Sequence, residues 1–179
     1  MTAWPVLVPG VAYVWRVALD DENAALAGRT LLSAGERTAA DRFYTAQLRA
    51  RYTVAHAWKR RILSRYLERP PGAIELTTGE FGKPTIASPR TAPELHFNLS
   101  HSRTVALIAL SIDGPIGVDV ESWDRNTDHL DLAERFFSPS ERSDLRSLAS
   151  EASLVVAGFF AAWTRKEAYL KATGHGITR

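Results

Sequence analysis

No cysteine occurs in the 179 residues. A disulfide framework and Cys-based zinc sites are therefore excluded, and the chain suits a reducing compartment. A secretory leader is not expected either. The opening MTAWPVLVPG has no basic start, and Pro5 and Pro9 interrupt any apolar stretch. The longest apolar run, Leu154 to Trp163, is too short to span a bilayer. These absences lead to the expectation of a soluble cytoplasmic protein with no membrane role. Net charge is small, +2, with 23% charged and 45% hydrophobic residues, which excludes a self-repelling disordered chain. The length allows one filled core or two small fused units.

Two catalytic signatures are also missing. There is no Gly-x-Ser-x-Gly elbow of a serine hydrolase. Gly79-Glu80-Phe81-Gly82-Lys83-Pro84 is not a phosphate-binding P-loop, because two residues rather than four separate its glycines and proline follows the lysine. Read alone it is a turn with an exposed lysine. His96 and His101 lack further ligands at zinc spacing.

What is present begins with an internal echo. LLSAGER from Leu31 and FFSPSER from Phe136 lie 105 residues apart. In each, a serine (Ser33, Ser138) precedes a glutamate (Glu36, Glu141) by three, the pattern of a capping box at a helix start. Pro139 at the first helical position strengthens the second. The same offset carries Ala57-Trp58 onto Ala162-Trp163, and the strand-like Val11–Leu19 onto Ile116–Asp124. Each half thus reads as a strand, a helix and a longer helix carrying a tryptophan, which points to duplication. In the first half, Pro70-Pro71-Gly72 ends the long helix. Strand-like pieces follow at Ala73–Thr77, Lys83–Ala87, Leu95–Leu99 and Thr104–Ile112. Their counterparts would extend to about position 217, beyond Arg179. The second unit is therefore expected to be incomplete, the natural chain to run some 38 residues further, and Val155, Val156, Phe159 and Phe160 to be partly uncovered. The fold class expected is α+β, a pseudo-dimer of units 1–112 and 113–179, acting as a monomer with a composite site at the junction.

Chemistry-bearing residues fall into four groups. Asp119 and Glu121, two apart on the expected strand, share one face, where a cation such as Mg²⁺ would relieve their repulsion; a solvated acidic pair is the plainer reading. Glu167 and Lys171 lie one helical turn apart, ahead of Gly174 and Gly176 as helix stops; an ordinary i, i+4 salt bridge would explain them. Ser100 and His101 enter a polar turn as potential phosphate donors, or as structural residues. Finally, Arg37 to Arg69 holds nine basic residues (37, 42, 49, 51, 59, 60, 61, 65, 69) against Asp41 and Glu68. That is a solvated helix face or a surface for phosphates or an acidic partner. Used with Phe43, Tyr44, Tyr52 and Trp58, it would suit a nucleic-acid-binding protein.

Five motifs in order carry a family resemblance: Gly82-Lys83-Pro84, Phe97-Asn98-Leu99-Ser100-His101-Ser102, Gly117-Val118-Asp119-Val120-Glu121, Arg135 to Glu141, and Trp163 to Gly174. Together they resemble the Sfp-type 4′-phosphopantetheinyl transferases. The resemblance implies a pseudo-dimer of α+β units that moves phosphopantetheine from coenzyme A to a serine of an apo acyl or peptidyl carrier protein. It implies Asp119, Glu121 and Glu167 as Mg²⁺ ligands. Glu167, or a water on the metal, would also help deprotonate the attacking hydroxyl, and Lys171 would be a catalytic and phosphate-binding group. Gly82, Lys83, Pro84, Ser100, His101 and Arg51, with Arg42 in second place, would bind coenzyme A. Nucleic acid is not expected as a partner on this reading. A truncated or degenerate member that binds coenzyme A or a carrier protein without turnover is the alternative within the family.

Overall fold

The computed structural model describes residues 4–79, 82–87, 94–123 and 127–174. Asp124 of the expected second strand, Glu80 and Phe81 of the expected turn, and Gly176 lie outside these residues. The architecture is mixed, with helices against small antiparallel sheets. Strand β1 (Tyr13–Ala18) leads to helix α1 (Glu22–Gly28), a 3₁₀ turn (Arg29–Leu31), α2 (Ala34–Asp41) and the long α3 (Ala46–Leu67). A short hairpin, β2 (Leu76–Thr78) and β3 (Pro84–Ile86), precedes β4 (His96–Ser102) and β5 (Val105–Ser111). Three helices follow: α4 (His129–Phe136), α5 (Pro139–Ser147) and α6 (Ala152–Thr173).

The main sheet runs β1-β5-β4, all antiparallel. Register puts Trp15, Val17, Phe97, Leu99, Ile108 and Leu110 on one face. That face packs with Val54, Ile62 and Leu63 of α3 to form the larger core. Each such side chain contributes about 1.5–3 kcal/mol when fully buried. The opposite face of β4 carries Asn98, Ser100 and Ser102, which makes it polar where β4 meets the second half of the chain. A smaller core lies among α4, α5 and α6, built from Ala133, Phe137, Leu145, Val155 and Phe159.

Both capping boxes form. Ser33 and Ser138 accept from the N–H groups of Glu36 and Glu141, whose carboxylates return to the serine amides. Thr45 caps α3, and Gly174, at φ 74°, ends α6. The α2–α3 pair recurs as α5–α6 at the offset of 105, within one residue at each start.

Several expectations are corrected. Residues 116–121 form no strand; they run as an irregular segment whose hydrogen bonds go to side chains, described below. Helices α1 and α4 were not foreseen, although Asp21 and Asp128 cap them as acids at a helix start do. Helix α3 stops before the Pro-Pro-Gly sequence, at Glu68. That residue adopts a left-handed conformation (φ 52°) and bonds back to the Ser64 carbonyl. Val155 and Phe159 are buried rather than uncovered, because α4 and α5 close over them; Val156 and Phe160 are half-buried.

Candidate active site

The polar face of β4 organises the site. Asn98 Oδ1 accepts from the Val118 N–H (2.9 Å), Ser100 Oγ from Val120 (3.4 Å) and Ser102 Oγ from Ser122 (3.1 Å). Alternate side chains of one strand thus hold alternate amides of the next segment. This replaces a backbone ladder and explains why 116–121 looks like a strand in sequence. Gly117 fixes the other side. A methyl group there would overlap the Ala168 carbonyl and the Ala172 amide of α6, so only glycine allows this approach.

Asp119 is thereby placed against α6 with its side chain 2% exposed. Its Oδ1 accepts from Ser100 Oγ (2.8 Å) and from Lys171 Nζ (2.5 Å). Its Oδ2 is buried with no hydrogen-bond partner. Ser100, itself 6% exposed, also accepts from Lys171 (3.0 Å), so hydroxyl, carboxylate and ammonium form a closed triangle. Lys171 turns to Asp119, not to Glu167 as the helix-pair reading supposed. Glu121 accepts from Ser102 Oγ (3.1 Å). Burial raises the pKa of Glu167; the Lys171 ammonium opposes this, and the Asp119 and Glu121 carboxylates add to it. Asp119 and Glu121 therefore both lie within electrostatic reach of Glu167. Among the described residues no three acidic or histidine side chains converge as a ready-made metal cage.

A sequence profile of the 4′-phosphopantetheinyl transferase superfamily matches residues 115–179, and one for the N-terminal part of 4′-phosphopantetheinyl transferases matches residues 15–112. The chain is 39% identical to the 4′-phosphopantetheinyl transferase HetI of Nostoc sp., over 97% of this chain and 73% of that protein. It is 31% identical to the 4′-phosphopantetheinyl transferase Sfp of Bacillus subtilis, over 93% and 70%. With psf-1 of Bacillus pumilus the figures are 37% identity, 89% and 66%. The chain belongs to the Sfp-type 4′-phosphopantetheinyl transferases. This is a family of enzymes, and the chain spans about two thirds to three quarters of the length of these three relatives.

The remaining residues that the family resemblance points to lie on several other elements. Lys83 is not an exposed turn lysine. Its ammonium donates to the carbonyls of Ile116 (3.1 Å) and Ala172 (2.8 Å), tying the β2–β3 hairpin to the acidic segment and to the last turn of α6. Burial lowers its pKa. Gly82 supplies the positive φ (81°) of that hairpin turn, and Pro84 opens β3. His101 lies on the α3 side of β4, opposite Ser100. Partial desolvation lowers its pKa, Lys171 adds to this, and Glu121 opposes it. Arg51 makes a two-pronged bond to Asp20 (2.6 and 3.1 Å), and Arg42 is exposed at the end of α2.

The basic stretch of this transferase-family chain is not a uniform solvated face. Lys59 and Arg60 are 3% and 2% exposed. Both donate to Glu36, which also contacts His56 (3.2 Å), and Arg60 reaches the carbonyls of Pro71 and Ile74. Burial by itself would raise the Glu36 pKa. The His56, Lys59 and Ser33 contacts outweigh it and hold the carboxyl well below the ordinary range. Sequence reading found Glu36 only as a capping residue. The missed signal was His56, Lys59 and Arg60 at i, i+3, i+4, one face of α3. Tyr52 stacks on His56 and contacts Phe43, and Arg61 covers Trp58, so the aromatic residues of the nucleic-acid reading, apart from exposed Tyr44, are already packed.

Proposed function

We propose that this chain transfers the 4′-phosphopantetheine group from coenzyme A to a serine hydroxyl of an apo acyl or peptidyl carrier protein, with release of adenosine 3′,5′-bisphosphate. The observation that carries the reading is Asp119. It is a buried carboxylate with one oxygen held by Ser100 and Lys171 and the other unpartnered, within electrostatic reach of Glu167. A buried, unpaired carboxylate oxygen is costly unless a cation uses it, so the donor set fits Mg²⁺. Asp119, Glu121 and Glu167 would hold the ion. Bound there, it would neutralise pyrophosphate charge.

The chain's own residues supply the rest. The serine oxygen attacks the β-phosphorus of coenzyme A, and the bond to the departing bisphosphate breaks. Lys171 binds the negative charge that shifts onto the phosphate oxygens. Glu167 takes the serine proton as general base. Ser100 holds Asp119 in place. Lys83, Gly82 and Pro84 position the hairpin against α6, at the edge of the coenzyme site. His101, Arg51 and, in second place, Arg42 supply polar contacts to the coenzyme, Arg51 exchanging Asp20 for phosphate. Residues 1–112 and 113–179 act as two units derived by duplication, and the recurrence of the helix pairs supports this.

The test is coupled release. Coenzyme A, Mg²⁺ and an apo carrier domain should yield adenosine 3′,5′-bisphosphate with this chain, and omission of any one should stop it. Release that does not depend on the carrier would contradict the reading.

A further inference from the structure

Lys171 neutralises Asp119 within the protein, and this has a consequence for cation binding. The ammonium sits 2.5 Å from Oδ1 and 3.0 Å from Ser100 Oγ, with the lysine side chain 31% exposed and the aspartate 2%. An ion using the unpartnered Oδ2 would meet this positive charge across a single carboxylate. Two cations that close repel strongly in a partly desolvated site. The lysine, in contrast, has somewhere to go. It has a flexible stem on the last turn of α6, and no short ion pair holds it to Glu167.

We propose that Lys171 competes with the divalent cation for Asp119, and that the phosphates of the coenzyme draw the lysine away, so that each ligand favours the other. This rests on the cation and coenzyme roles given under Proposed function. Linkage requires the coupling to be reciprocal: coenzyme tightens cation binding by the factor by which the cation tightens coenzyme binding. Lys171 is thus an obstacle to the cation alone and a helper once coenzyme is bound.

The experiment titrates Mn²⁺ alone, without coenzyme, into the 179-residue chain and follows free Mn²⁺ by electron paramagnetic resonance. Lys171→Gln and Lys171→Met should bind Mn²⁺ about tenfold tighter than wild type or more, and Asp119→Asn should erase that gain. The variants leave Asp119 uncompensated, so Mn²⁺ should raise their melting temperatures more than that of wild type. If they are unfolded without metal, Mn²⁺ should restore a transition. Equal or weaker binding by both variants, or no restored transition, overturns the competition. If Asp119→Asn changes Mn²⁺ affinity in neither background, the cation site itself is wrong, and the competition falls with it.

Discussion

At the residue scale, the most consequential side chain that sequence reading undervalued is Glu36. It completes a capping box and at the same time is the carboxylate facing buried Lys59 and Arg60. Glu36→Gln should destabilise the protein by about 3–5 kcal/mol, because two buried cations lose their counter-ion. Urea unfolding measures this. Its pH dependence has a definite sign. The folded-state pKa of Glu36 is depressed, so its stabilisation is fully present above the ordinary carboxylate range and fades as pH falls below it. The difference between wild type and variant should be constant from neutral pH to about 5, then shrink in acid. A difference that grows in acid would contradict the charge network.

Arg51 belongs to the same scale. Its bond to Asp20 raises its pKa and orients its guanidinium beside the β1–α1 connection. Arg51→Ala should weaken binding of coenzyme A more than that of 3′-dephospho-coenzyme A. Calorimetry showing equal losses would remove Arg51 from the 3′-phosphate.

At the element scale, the segment around Asp119 is held by three side chains of β4 and by close contact with α6. Gly117→Ala should push the segment off the helix, cost about 1–3 kcal/mol by overpacking, and lower transfer out of proportion to stability. Gly72→Ala, where a methyl meets nothing within 4 Å, is the control. Equal activities in the two variants, measured well below both melting temperatures, would show that the contact does not position Asp119. This element also marks what was legible in the sequence. Helix starts were readable because a capping box is local: Ser33–Glu36 and Ser138–Glu141 need no tertiary context. Residues 116–121 were misread as a strand because alternation of Val and acid reports which side faces a core. It does not report whether the amides bond to a backbone or, as here, to Asn98, Ser100 and Ser102. Likewise Glu167 and Lys171 had the spacing of a helix pair, but the nearer partner, Asp119, came from another segment.

At the scale of the whole molecule, two cores are joined by the polar contacts at the candidate site and by Lys83. The family could be read from five motifs in order, and the comparisons bear it out. The distribution of charge could not. A stretch with an excess of seven positive charges folds so that its most basic turn, Lys59-Arg60, is interior. Charge counting cannot tell a buried cation with a partner from a solvated one.

The central claim is that this junction transfers phosphopantetheine, and intact-mass spectrometry of an apo carrier domain tests it most directly. Incubated with coenzyme A, Mg²⁺ and the wild-type chain, the carrier should gain the mass of one phosphopantetheine group on its serine. Asp119→Asn, shown to be folded by its melting transition, should leave the carrier unmodified over the same time. A carrier untouched by wild type, or modified equally by both proteins, would contradict the account.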